Sequence, residues 1–298
     1  MKKTKMYKTN KLSFLCLFIA TIVCVSCSDK TVAPDDSNPI GEFRDTTFVD
    51  VSYGSHTRQK YDVHLPARGN INTPVILMIH GGAWTAGQKE DFNQYIELIK
   101  SRWNSVAIVT MNYRYASTTN KIHHAEIMAD IASVVDHLST NSSKYQISKN
   151  IGVIGASAGA HLAMIYAYKY NSNIKCVGDI FGPAIFNDWE WYNGFNIATG
   201  GKTGDILTEY VGKSWDTTAY KAVSPYWNVS STTQPTIIFH GSLDPVVPVY
   251  HSQWLHSKLK NLSVPTQYHE YIAFHSFDIT QSNDVMNKLV AFFQLYLQ

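Results

Sequence analysis

The chain has 298 residues, of which 45% are hydrophobic and 13% aromatic, with 25 Lys and Arg set against 23 Asp and Glu. A near-neutral chain with no basic cluster beyond its first eleven residues, and without aromatics interleaved with Lys or Arg, excludes nucleic-acid binding. With only four cysteines, it is not a disulfide scaffold and must be held together by its core, for which its length suffices.

In chain order, the first feature is a leader. Lys2, Lys3, Lys5, Lys8 and Lys11 precede an apolar run over 12–26, too short for a spanning helix and suited to a signal sequence. The run ends Cys24-Val25-Ser26-Cys27, followed by polar Ser28-Asp29-Lys30-Thr31. A small residue directly before a cysteine at this point resembles a bacterial lipoprotein box. That resemblance implies a signal peptide over 1–26, lipid attachment at Cys27 and export to a membrane-anchored position. Ser28 after the cysteine favours the outer membrane, on its periplasmic or its surface face. Cys24 departs from the Leu that such boxes prefer, and ordinary cleavage nearby is the alternative. Loss of the five leader lysines and no acids leaves 20 basic against 23 acidic residues, a slightly negative mature chain. Residues 27–44, polar and broken by Pro34 and Pro39, read as a flexible tether. A single domain over 45–298 follows.

Period-two segments at 47–53 and 58–65, joined at Gly54-Ser55, predict an antiparallel hairpin at a sheet edge. Strands and helices then alternate: strand 75–80, helix 92–102, strand 106–112, helix 125–138, strand 151–155, helix 158–170 and strand 174–180. Such alternation predicts a mostly parallel central sheet with helices on both faces, an α/β class fold.

The strand at 75–80 runs into His80-Gly81-Gly82-Ala83-Trp84. Two glycines free of side chains let backbone amides converge on one point. The strand at 151–155 runs into Gly155-Ala156-Ser157-Ala158-Gly159 and then a helix. Strand, tight G-x-S-x-G turn and helix are the context of a nucleophile elbow, with a structural Gly-rich turn as the bland alternative. The amides of Gly82, Ala83 and Ala158 are the candidates for an oxyanion hole.

Between 182 and 233 the alternation breaks. Trp189, Trp191, Tyr192, Phe195, Tyr210, Trp215, Tyr220, Tyr226 and Trp227 crowd this insertion, expected to form a small cap or pocket wall. Aromatic faces there either stack on an aryl ester or a sugar ring, or make the insertion's own small core.

A buried strand at 235–240 leads to Asp244, on the loop before a helix at 249–261. Chemistry in parallel α/β proteins collects on such loops. Capping of that helix is the alternative role for Asp244, disfavoured by Pro245 and Pro248 between them. One more strand, 267–273, leads to the loop Phe274-His275-Ser276-Phe277, ahead of a final helix at 284–297. A serine nucleophile needs a base and the base needs a carboxylate, in the chain order Ser, Asp, His for an elbow. Of the twelve histidines, His275 combines this order with a loop after a strand, whereas His251 falls in a helix and His269 in a strand. Adjacent His123 and His124 have no acidic or Cys partner at useful spacing, so a metal site is not expected. Cys176, on a predicted strand, reads as buried filler.

His80 to Trp84, Met111-Asn-Tyr-Arg-Tyr115, Gly155 to Gly159 with His161-Leu-Ala163, Ser224-Pro225 and His240-Gly-Ser-Leu-Asp244 together resemble the α/β-hydrolase superfamily. More narrowly they resemble its H-G-G-x-W carboxylesterase branch of feruloyl and acetyl esterases, related to hormone-sensitive-lipase-like esterases. The resemblance covers 45 to the C-terminus. It implies cofactor-independent hydrolysis of small-molecule or oligosaccharide esters by Ser157, His275 and Asp244. An arylformamidase-type amidase and a catalytically inactive binding protein on the same fold are the alternatives. Ala83 stands where the H-G-G-G esterases have Gly, and the segment before the motif is too short for a large N-terminal lid.

Overall fold

The computed structural model describes residues 45–170 and 173–297. The expected signal sequence, Cys27 and the expected tether lie outside the described residues. Strands β1 (Thr46–Ser52) and β2 (Lys60–Leu65) form the expected antiparallel hairpin. Then come β3 (Val75–Ile79), α1 (Asn93–Lys100), β4 (Ala107–Met111), α2 (His124–Thr140) and the short α3 (Ser142–Tyr145). The middle of the chain gives β5 (Ile151–Ala156), α4 (Ala158–Lys169) and β6 (Ile174–Ile180).

The insertion after β6 is built from α5 (Trp189–Asn193), a two-residue pairing of β7 (Phe195–Asn196) with β8 (Gly201–Lys202), α6 (Thr203–Val211), α7 (Thr217–Val223) and α8 (Pro225–Asn228). The chain closes with β9 (Thr236–Gly241), α9 (Tyr250–Asn261), β10 (Thr266–Tyr271) and α10 (Ile279–Tyr296). The eight-stranded sheet has the order β1-β2-β4-β3-β5-β6-β9-β10, antiparallel at β1/β2 and β2/β4 and parallel elsewhere.

The parallel strands are apolar on both faces because both are covered. Leu77, Val109, Val153, Val177 and Ile238 meet α2, α4, α9 and the insertion, while Ile76, Met78, Ile108, Ile154, Cys176 and Phe239 meet α1 and α10. Cys176 is fully buried, and burial pushes its thiol well up, so it is inert filler. Helix α10 starts at Ile279 rather than at the expected 284. Asp278 accepts from the Gln281 amide at 2.8 Å and the Gln281 side chain returns to the Asp278 amide, a capping box that begins the helix a turn earlier.

The insertion aromatics largely settle on one another. Tyr210 and Tyr220 are fully buried, and Trp189, Tyr192, Trp215 and Tyr220 form a chain of ring contacts at 4.9 to 5.7 Å. This is the self-packed small core. Trp189, Phe195 and Trp227 remain exposed.

One buried polar group stands out. Asp179 on β6 is fully buried; its Oδ1 accepts from the Gly182 amide at 2.8 Å and its Oδ2 has no hydrogen-bond partner among the described residues. Burial pushes its carboxyl from 3.8 up to about 7. A raised acid binds its proton more tightly folded than unfolded, so its contribution is full below the unfolded value and is lost as pH rises through the folded one. Stability should therefore fall by up to about 1.4 kcal/mol per pH unit across that window. Asp179→Asn, an isostere of the neutral acid, should flatten that slope and raise Tm at pH 8 relative to wild type while leaving Tm at pH 4 nearly unchanged. Parallel melting curves with pH for the two proteins would refute this.

Candidate active site

Three loops at the carboxyl ends of parallel strands converge on one point, as in other open α/β sheets. Between β5 and α4, Ser157 adopts φ 55° and ψ −122°, a strained conformation for a residue with a Cβ. The strain is imposed by crowding on either side. A Cβ on Gly159 would sit 1.9 Å from the Ile79 carbonyl oxygen and 2.4 Å from that of His80, so only glycine lets α4 start this close to β3.

The expected partners are in place. The Ser157 hydroxyl lies 2.8 Å from His275 Nε2, and His275 Nδ1 lies 2.6 Å from Asp244 Oδ2. His275 keeps about a fifth of its side chain exposed, whereas the Asp244 side chain is fully buried. A buried carboxylate must be satisfied on both oxygens. Asp244 Oδ1 accepts from the amides of Val246 and Val247 at 2.8 and 3.0 Å. Its Oδ2 also has His240 Nε2 at 3.3 Å. Burial by itself would raise this carboxyl, but the hydrogen bonds from His240, His275 and the Val247 amide outweigh it and hold Asp244 well below the usual carboxylate range. The capping alternative does not hold: the residue preceding α9 at its cap is Val249.

His240 lies within the motif that ends at Asp244, but pattern reading gives it no role. It closes β9, fully buried, with Nε2 2.9 Å from the Val247 carbonyl and Nδ1 2.7 Å from the Ser252 hydroxyl. The carbonyl can only accept, so Nε2 carries the proton and Ser252 donates to Nδ1. Its position four residues before Asp244, at a strand end, was the available signal. His269 and His251 take no part in the hydrogen-bonded set. His269 stacks on Phe239 from β10, and His251 is buried in α9 with its Nδ1 accepting from the Ala184 and Ile185 amides.

The His80–Trp84 loop lies against the elbow. A Cβ on Gly81 would stand 3.3 Å from that of Ser157. Gly82, Ala83 and Trp84 all have positive φ, at 98°, 50° and 60°. Gly82 and Ala83 follow directly on Gly81 in this run, and Ala158 opens the first turn of α4. Trp84 anchors the loop inside the molecule. Its ring stacks on Tyr210 of the insertion at 4.8 Å, and its Nε1 donates to His161 Nδ1 at 3.2 Å. His161 Nε2–H in turn donates to the Val223 carbonyl at 2.8 Å, and burial pushes its imidazole down to about 3. From the other side, Trp191 of α5 donates to the Val246 carbonyl at 3.0 Å, so the insertion grips both the glycine loop and the Asp244 loop.

Among the described residues, no group of three His, Cys, Asp or Glu side chains could hold a metal ion. His123 and His124 instead both reach α6, at the Glu209 carbonyl and the Tyr210 hydroxyl.

Sheet order, elbow and converging loops define an α/β hydrolase. The BD-FAE family matches residues 61–259, and the chain belongs to that family. Esterase LipQ of Mycobacterium tuberculosis is 24% identical over 231 residues, covering 73% of this chain and 53% of LipQ. Kynurenine formamidase of Salmo salar is 29% identical over 119 residues, 39% of this chain and 37% of that protein. The chain thus spans about half or less of these relatives' length. Among solved structures, a truncated carbohydrate esterase from gut microbiota superposes with TM-score 0.68 at 20% identity, over 85% of this chain and 98% of that one.

Proposed function

We propose that this chain is a serine-dependent carboxylic ester hydrolase. The observation that carries the reading is the unbroken line from the strained Ser157 through His275 to the buried Asp244, at 2.8 and 2.6 Å. His275 Nε2 takes the hydroxyl proton as Ser157 Oγ bonds to the ester carbonyl carbon. Asp244, accepting from Nδ1, holds the ring in the tautomer that leaves Nε2 free, and stabilises the imidazolium that forms. The Gly82, Ala83 and Ala158 amides hold the carbonyl oxygen as it becomes an oxyanion. On collapse the alcohol departs with the proton from His275. Water then repeats the sequence on the acyl-serine to release the acid and restore Ser157.

Short-acyl or aryl esters, such as acetylated or feruloylated carbohydrate, are the substrate class we favour. The likeness to a carbohydrate esterase supports it, as do the exposed apolar side chains of Leu243 and Phe274, which flank Asp244 and His275 in sequence. Arylformamide hydrolysis, by the same residues, is the second reading, favoured by the partial likeness to kynurenine formamidase. A panel of para-nitrophenyl esters, feruloyl esters, acetylated xylan and N-formylkynurenine separates them.

Ser157→Ala should abolish turnover of para-nitrophenyl acetate and labelling by a fluorophosphonate probe while the melting curve is kept. His275→Ala should lose nearly as much, because such residues act as a unit. Turnover that survives Ser157→Ala, or an unlabelled wild type, would mean a binding protein or another mechanism.

The pH profile follows from Asp244. Its carboxyl is held so low that it stays ionised across the working range, leaving one proton to be lost from the base before attack. Log kcat/KM should therefore rise with pH at a slope of about 1 and then level off. A slope near 2 would show that two groups titrate together and that Asp244 is not held ionised.

We also propose that the enzyme is exported and anchored by lipid on Cys27, on the outer membrane, with no protein partner required for attachment. Acyl chains supply about 0.8 kcal/mol per buried CH₂, so several chains give stable anchoring. Wild type should partition into detergent and Cys27→Ser should not; a Cys27→Ser protein still in the membrane fraction after a high-salt wash would end this reading. Protease shaving of intact cells tells the surface face from the periplasmic one.

A further inference from the structure

The glycine loop carries three consecutive residues at positive φ, two of them, Ala83 and Trp84, with side chains. Left-handed backbone is unfavourable for each residue with a Cβ, so the conformation persists only where its surroundings fix it. At one point the fixing group is Trp84, gripped by the insertion. On the far side it is a residue remote in sequence and belonging to neither elbow nor insertion. Arg58, just before β2, sends its guanidinium under the loop. Nη2 lies 3.0 Å from the Gly87 carbonyl, 3.3 Å from His80 Nε2 and 3.3 Å from Asn112 Oδ1, and Nε donates to the Tyr113 carbonyl at 2.9 Å. The guanidinium is stacked 3.6 Å from the centre of the Tyr115 ring, whose hydroxyl donates to the same Gly87 carbonyl at 2.5 Å.

These contacts bracket the loop. Gly87 closes it and His80 opens it. Burial pushes the His80 imidazole down to about 4, so it is uncharged. Its Nδ1 must donate to the Gly81 carbonyl at 2.7 Å, because that oxygen can only accept. Nε2 is then the acceptor that the guanidinium meets. The Tyr113 hydroxyl, 3.1 and 3.2 Å from the His80 and Gly81 carbonyls, completes the restraint. The carbonyl oxygens of residues 80, 81 and 87 are thus each held by a donor, which fixes the peptide planes at both ends of the loop.

We propose that Arg58 is a positioning residue for the oxyanion site: its planar fork, clamped between the ends of the 80–87 loop, keeps the Gly82 and Ala83 amides aimed at the substrate oxygen. The proposal rests on the serine-hydrolase reading above. Arginine is required because one group must donate in several in-plane directions while its face stacks on an aromatic ring, which an ammonium cannot do. Relaxation of the loop moves the amides by a peptide flip, and the loss appears where the oxyanion forms, with ground-state ester binding spared.

Arg58→Met keeps the packing of the stem and removes the fork. Removing one oxyanion donor costs about 100- to 1000-fold, and a loosened loop should cost about 10- to 100-fold in kcat with KM for para-nitrophenyl acetate changed by less than about threefold. Affinity for phenylboronic acid, which becomes a tetrahedral anion on the serine, should fall by the same factor as kcat/KM, and added guanidinium at millimolar concentration should restore part of both. Arg58→Lys, measured the same way, serves if the Met variant does not fold. Wild-type kcat in the variants overturns the proposal, as does a lowered kcat with boronate affinity intact. A wild type that phenylboronic acid does not inhibit would instead overturn the serine reading on which the proposal rests.

Discussion

Backbone against backbone, with no room for a side chain, is the contact on which the site depends. The first turn of α4 abuts the last residues of β3 so tightly that a single carbon on Gly159 would overlap the Ile79 carbonyl. Three consequences follow from that approach. Ser157 is forced to positive φ, which lifts its hydroxyl clear of the sheet. The glycine loop that leaves β3 is brought within contact of the elbow. The α4 N-terminus, with its free amides and positive end of the dipole, is set directly behind the nucleophile. Strain of this kind survives only if the surroundings over-determine it. Here they are the central parallel strands, buried along almost their whole length and covered on both faces.

The insertion belongs to this machinery. Trp84 comes from the loop beside the nucleophile but is buried among Tyr210, Phe186 and His161, so the loop and α6 share one packed unit. Trp191 reaches the opposite side, at the Asp244 loop. A segment that holds two of the three converging loops cannot repack without moving them, because packed interiors transmit displacement instead of absorbing it. Its aromatics are therefore used chiefly on each other and on the loops, leaving Trp189, Phe195 and Trp227 as the exposed rings.

Most of the frame was legible in the sequence because it is written in local patterns. Strand-helix alternation placed β3 to β6, α1, α2 and α4 within a few residues, and chain order together with a loop after a strand picked His275 from twelve histidines. Where reading failed, the cause was non-local or lay in cap chemistry. The start of α10 is decided by Asp278 and Gln281, a two-residue exchange overlooked in favour of apolar periodicity. The state of the insertion aromatics could not be read from composition, since stacking on a ligand and stacking on each other demand the same residues. Arg58 was invisible for a plainer reason: it acts on the Gly87 carbonyl across the fold, a contact with no spacing rule. His240, four residues before Asp244 at a strand end, carried a spacing signal but no assigned role.

The histidines show how burial assigns roles within one residue type. His80, His161 and His251 are each buried and pushed down, to about 4, 3 and 3, so they remain uncharged and serve as fixed donors and acceptors. Each has a ring nitrogen committed to a backbone group or a tryptophan. A base in such a position would have neither the proton affinity nor the free nitrogen to do chemistry. His275 differs in its surroundings: it is partly open to solvent, sits on a loop after an edge strand, and carries a carboxylate on one nitrogen and a hydroxyl on the other. Asp244 can play its part only because four donors share its two buried oxygens, which makes the carboxylate cheaper to keep charged there than to protonate. The fold thus buries and neutralises several histidines as fixed donors and acceptors while leaving one with its two nitrogens on a carboxylate and a hydroxyl, and His240, by bracing Asp244, serves that same end.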